Sequence, residues 1–175
     1  MEKNTKQDKN SMPNSHLHEL LVDEMKDMLN AERQLLKGLM KLSKASQNED
    51  LRAAFEKHHE ETETHIEKLK EAFEHLQIPA RGKKCKAMEG LIKEAEEIES
   101  DFEGSEASDA ALISAAQKIE HYEIASYGCM ATYAELMQHD EVAQILREIL
   151  DQEKMTDELL TDIAKKSANK GELVM

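Results

Sequence analysis

The chain has 175 residues, with 23 Lys and Arg against 37 Asp and Glu, for a net charge of −14. That balance excludes the clustered cations that nucleic acid or an anionic membrane surface demands, so neither is an expected partner. Six Gly, two Pro, three Phe and no Trp are poor material for a sheet, whereas the abundant Ala, Leu, Glu, Lys and Met are good helix formers.

Residues 1–14 are polar, lack periodicity and contain Pro13, which predicts a disordered N-terminal tail. They hold no apolar h-region, and no stretch of the chain approaches the roughly 18 apolar residues of a membrane span, so a cytoplasmic location is expected. A single domain is expected over 15–168, followed by a C-terminal tail over 169–175.

The first amphipathic segment, α1, is predicted from about Ser15 to Ala45 on the stripe Leu17, Leu20, Leu21, Met25, Met28, Leu35, Leu39 and Leu42. Ser46-Gln47-Asn48 interrupts it, with Asn48 placed to cap the next helix. Helix α2 follows from about Glu49 to Leu76, carrying Leu51, Phe55, Ile66, Leu69 and Phe73. It stops before Pro79, which pushes the preceding residue out of the helical region. A basic loop, Arg81 to Lys84, reads as solvated. It leads to a shorter helix, α3, from about Lys86 to Asp101.

Gly104 and Ser105 mark the next break. Helix α4 is predicted from about Ser108 to Met137, with Leu112, Ile113, Ala116, Ile119, Ile124, Tyr127 and Met130. Gln138-His139-Asp140 forms a tight turn into α5, from about Glu141 to Lys166, with Leu146, Ile149, Leu160 and Ile163. Cys85 and Cys129, 44 positions apart and without CxxC spacing, read as two reduced thiols.

Short connections make α1–α2 and α4–α5 antiparallel hairpins, and the connection between them is about thirty residues long with a helix inside it. The expected architecture is therefore all-α: a ferritin-like four-helix bundle of two hairpins with a long crossover containing α3.

The informative residues are charges that fall on apolar stripes, because a buried charge must be paired or must bind a metal. Glu32 falls on the α1 stripe, seven after Met25 and three before Leu35. On α2 the stripe passes through His58, Glu61 and His65; on α4 through Glu120 and Glu123; on α5 through Glu153, with Asp157 four residues later. Each long helix thus carries a carboxylate on its inner face near its middle. Two nearby metal ions require such a set, with bridging carboxylates and terminal carboxylate or imidazole ligands. The common Glu-x-x-His spacing is absent, since Thr64 and Thr156 stand three after Glu61 and Glu153. The resulting site is rich in oxygen and suits iron or manganese better than zinc or copper. His58 reads as a hydrogen-bonded structural residue, His121 as a partner behind the ligands, and Tyr122 and Tyr127 as packing residues. The same glutamates could also be ordinary charges on the helix flanks.

The segments HHEETETHIEKL, CKAMEGLIKEAEEI, DAALISAAQKIEHYEIASYG and EILDQEKMTDELLTDIA together resemble the YciF/YciE-type ferritin-like stress proteins of bacteria. The resemblance covers nearly the whole chain after residue 14. It implies a ferritin-like bundle, a homodimer and a rubrerythrin-like dimetal site, with no reaction firmly attached to it. Carried onto this chain, the family's AE-x-Q motif marks Glu32, its EET segment Glu61, its EHYE motif Glu120 and Glu123, and its E-K-x-T-D motif Glu153 and Asp157. His65 sits where members of the family vary. The expected function is a stress-associated dinuclear iron or manganese protein that acts on a small oxidant, oxygen or peroxide. The alternative is a metal-binding or structural protein without turnover, working through its dimer surface.

Overall fold

A computed structural model describes residues 15–168; the tails expected over 1–14 and 169–175 lie outside the described residues. Helices cover Ser15–Ala45 (α1), Glu49–His75 (α2), Lys86–Phe102 (α3), Ser108–Leu136 (α4) and Asp140–Ile163 (α5), and there is no strand among the described residues. Helix α5 ends three residues before the expected Lys166. The chain there widens into a turn of π-helix over Ala164–Ala168.

Local chemistry sets the boundaries. Asn48 caps α2 as expected, its Oδ1 accepting from Leu51 N at 3.0 Å. Asp109 ties the same turn to the start of α4, its two carboxylate oxygens accepting from Gln47 N and Asn48 N at 2.9 Å each. Helix α2 closes with a double bond pattern, Ile78 N to Phe73 O at 3.0 Å and Gln77 N to Glu74 O at 2.9 Å. Helix α4 repeats it with His139 N to Ala134 O and Gln138 N to Glu135 O, both 2.9 Å. In both motifs a glutamine, Gln77 or Gln138, takes the left-handed conformation that glycine fills more readily.

Helix α1 packs on α2 and α4, and α5 packs on α2 and α4, so the four long helices close around one core. Leu21, Met25, Met28, Leu35, Leu69, Phe73, Leu112, Met130, Leu146 and Ile149 fill it. Helix α3 lies outside this ring against α1 and α4, burying only Met88 and Ala95 fully. Ion pairs Lys41–Glu96 and Lys118–Glu94 hold it to those two helices. With α1, α3 and α5 all against it, α4 is buried beyond a single stripe, which explains Ala115, Ala131 and Ala134 in its interior.

The loop before α3 is pinned to α1. Asn30 Oδ1 accepts from Cys85 N at 2.8 Å, Gln34 Nε2 donates to Cys85 O at 3.0 Å, and Lys83 N donates to Lys26 O at 3.0 Å. Cys85 then caps α3, its Sγ accepting from Met88 N at 3.4 Å. Cys85 is buried and Cys129 exposed, and no disulfide joins them. No helix among the described residues is long and apolar enough to cross a membrane.

Candidate metal centre

Six ionisable side chains converge at mid-bundle, each at most 1% exposed: Glu32 from α1, His58 and His65 from α2, Glu120 and Glu123 from α4, and Glu153 from α5. The helical repeat explains the sharing of a face. His58 and His65 lie two turns apart on α2, and Glu120 and Glu123 one turn apart on α4.

The donors fall into two groups, each with its atoms within 4.8 Å of one another: His58, Glu120, Glu123 and Glu153, and Glu32, His65 and Glu153. Glu153 belongs to both. Its Oε2 lies 3.7 Å from His58 Nε2, and its Oε1 lies 3.0 Å from His65 Nδ1. His58 Nε2 also approaches Glu120 Oε1 at 3.2 Å, and His65 Nδ1 approaches Glu32 Oε1 at 3.7 Å.

These approaches lack the alignment of hydrogen bonds. Nine buried side-chain atoms have no hydrogen-bond partner, and every such atom among the described residues belongs to these six side chains. They include both oxygens of Glu123 and of Glu153. Buried polar groups are normally satisfied, so this concentration of orphaned lone pairs is compatible with a bound cation.

The donors that do have partners are held from behind. His65 Nε2 meets Gln152 Oε1 at 3.2 Å, so the Nε2–H tautomer turns the Nδ1 lone pair toward Glu32 and Glu153. Tyr127, fully buried, donates its hydroxyl to Glu32 Oε1. Glu61 stands behind His58, with Oε2 3.8 Å from Nδ1, and is tied on its outer side to Lys57 at 2.7 Å.

The structure therefore brings together Glu32, His65, Glu120, Glu123 and Glu153 and leaves the other two sequence candidates outside both donor groups. Glu61 is partly exposed and directed at Lys57 and the far edge of His58. Asp157 accepts from Gln117 Nε2 at 3.2 Å and faces His121 Nε2 at 3.5 Å on the bundle surface. His58, which the sequence suggested as a structural residue, is a member of the larger group. Tyr122 does not reach the donors; its hydroxyl donates to Asp27 Oδ2 at 3.0 Å and lies 3.2 Å from Cys85 Sγ.

Electrostatics follow from burial and crowding. Desolvation pushes Glu32 and Glu120 up to about 7, with Glu153 adding repulsion and the imidazoles opposing it. Glu123 rises well above the carboxylate range through burial and then the charges of Glu153, Glu32 and Glu120. Burial alone would depress His58 and His65, but the neighbouring carboxylates outweigh it and raise both. Glu61 goes the other way, held down to about 2 by His58 and then Lys57 against its partial burial. The cluster is thus a set of groups that can be neutral only by holding extra protons or a cation.

Fold and site together define the class: a bundle of four long helices with a buried carboxylate–imidazole cluster at its centre. Residues 16–172 match the family described as Domain of unknown function (DUF892), and the chain belongs to that family. Protein YciF of Escherichia coli strain K12 is 45% identical over 155 residues, 88% of this chain and 93% of that protein, which bears out the resemblance read from the sequence. The crystal structure of the E. coli stress protein YciF matches with a TM-score of 0.84, over 88% of this chain and 98% of that one. YcfI from Rhodopseudomonas palustris matches at 36% identity with a TM-score of 0.81, over 83% of this chain and 92% of its own. A dodecameric thioferritin, the bacterioferritin-related protein from Bacteroides fragilis, matches at 17% identity with a TM-score of 0.68, over 90% of this chain and 91% of its own; that likeness shows the fold alone.

Proposed function

We propose that Glu32, His58, His65, Glu120, Glu123 and Glu153 hold a dinuclear centre of iron or manganese, with Glu153 shared between the two positions. The observation that carries this reading is the set of nine orphaned donor atoms confined to these six side chains. Charge supports it: four carboxylates offset two divalent cations while both imidazoles remain neutral, so no net charge is buried. Four carboxylates to two imidazoles is a hard, oxygen-rich donor set, which favours iron or manganese over zinc or copper.

Such a centre supplies one-electron redox chemistry toward oxygen or peroxide. The chain's own part is to hold the donors dry and pre-aligned: Gln152 orients His65, Glu61 backs His58, and Tyr127 steadies Glu32 by donating to one oxygen. We assign Glu61 to this backing role and Asp157 to the surface polar network. The bundle is read as two hairpins joined by a crossover that contains α3. We further propose a homodimer, which would cover some of the exposed apolar side chains such as Leu20, Leu136 and Met155. The stress designation of the E. coli relative supports a stress-associated role for this chain, and we propose that it acts in the cytoplasm.

Two outcomes test this. Protein purified without chelator should carry close to two iron or manganese ions per chain, and its ferrous form should consume peroxide far faster than a Glu153→Gln variant. Metal without peroxide consumption leaves the non-catalytic alternative; protein that binds neither ion refutes the centre. A finer expectation concerns Gln152. Its replacement by Leu removes the acceptor for His65 Nε2–H and should weaken metal binding by about 10- to 100-fold, the usual effect of losing a partner behind a ligand. A competitive chelator titration measures this, and unchanged affinity would show that Gln152 does not orient the imidazole.

A further inference from the structure

A second pair of imidazoles lies away from the core cluster. His18, in the first turns of α1, and His139, in the turn between α4 and α5, share a hydrogen bond between Nδ1 and Nε2 at 3.1 Å, their rings edge-on at 62°; a cation bound between them takes the place of the proton they share. The two residues are 121 positions apart in sequence, so the fold alone brings them together. Both are partly exposed, which leaves the pair open to solvent.

We propose that His18 and His139 form a separate surface site for a borderline divalent transition cation such as nickel, copper or zinc. Imidazole nitrogens bind such ions at about 2.0–2.1 Å, and two nitrogens 3.1 Å apart then subtend about 100° at the metal, suited to neighbouring positions of a tetrahedral or square-based shell. Water completes the coordination, because the site opens outward. Burial, and then the proximity of His18, holds the pKa of His139 below the ordinary imidazole value, which favours its neutral, ligating form.

The site differs from the core in chemistry as well as place. It offers only nitrogen, whereas the core offers mainly carboxylate oxygen, so the two should prefer different metals. A cation held here would also fasten the start of α1 to the α4–α5 turn.

Calorimetric titration of the untagged full chain with nickel chloride tests the proposal, using wild type, His18→Gln, His139→Gln and Glu120→Gln. Glutamine keeps hydrogen-bonding capacity at these half-exposed positions. Circular dichroism confirms that each variant is folded. Wild type and Glu120→Gln should share a nickel-binding event that is weakened at least tenfold in each histidine variant. Nickel isotherms unchanged by both histidine replacements, or changed by only one of them, would overturn the paired site.

Discussion

Replacing Glu153 with glutamine should abolish most of the rise in melting temperature that manganese or ferrous ion gives the wild type. A ligand that binds only the folded state at a hundredfold excess over its dissociation constant adds about 2.7 kcal/mol. For a chain of this size each kcal/mol moves the melting temperature by about 2–4 °C, so each bound ion should raise it by about 5–10 °C. Glu153 is the one side chain common to both donor groups, with one oxygen directed at each imidazole. Its loss should therefore strike both proposed metal positions, where loss of Glu32 or Glu120 should strike one. Asp157→Asn is the matching control. Asp157 lies on the same helix but is engaged with Gln117 and His121 at the surface, so that variant should keep the full metal response. Equal responses in Glu153→Gln and wild type would remove the shared carboxylate from the centre.

The apo protein should lose stability as pH rises from about 5 to about 8, contrary to the usual behaviour of an acidic protein with paired carboxylates. Glu32 and Glu120 are raised from 4.5 to about 7 in the folded state, so each imposes a penalty that begins above the unfolded value and grows until the folded one is passed. His58 and His65 are raised as well. The stability they contribute is fully present below 6.5 and is lost as pH climbs through their folded values. All four effects share a sign because they describe one cluster exchanging protons with solvent, and together they amount to a few kcal/mol. Glu61 sets the acid limit. Depressed to about 2, it contributes stability that is present above 4.5 and lost as pH falls toward its folded value.

Metal should reverse the trend, since the proposed ligands must be deprotonated to bind it. The increment in melting temperature due to manganese should therefore grow between pH 5.5 and 8. Melts in chelator and in manganese across that range check both arms. An apo protein that gains stability toward pH 8 would contradict the arrangement of charges described here.

Much of the fold was legible because the helix-stopping signals are local. Asn48, Pro79 and Gly104 act within a few residues of themselves, and the predicted helix ends fall within one to three residues of those observed. The exceptions have local causes too. Gln77 and Gln138 occupy left-handed positions with no glycine to announce them, and the π-helical turn after Ile163, Ala-Lys-Lys-Ser-Ala, contains no Gly or Pro to mark a change from ordinary helix.

The four buried glutamates Glu32, Glu120, Glu123 and Glu153 were visible as charges placed where only apolar residues belong. Glu61 satisfied the same rule, but a stripe drawn from sequence is about a third of the helix circumference wide. Packing of α2 against α1 and α5 centres its inner face on His58, Thr62 and His65, which leaves Glu61 at the margin beside Lys57. His58 was on the stripe yet carried no distinguishing signal. A buried histidine is common, and only Glu120 and Glu153, arriving from two other helices, give it a ligand's surroundings. Gln152 was illegible for the same reason, since its partner His65 lies 87 residues away in sequence.

Anomalous diffraction at the iron and manganese edges, from crystals of protein purified without chelator, tests the dinuclear reading most directly. Two peaks are expected about 3.5–4 Å apart, one among His58, Glu120, Glu123 and Glu153 and the other among Glu32, His65 and Glu153. A cluster with no anomalous density at either edge, in crystals grown with both ions supplied, would contradict it.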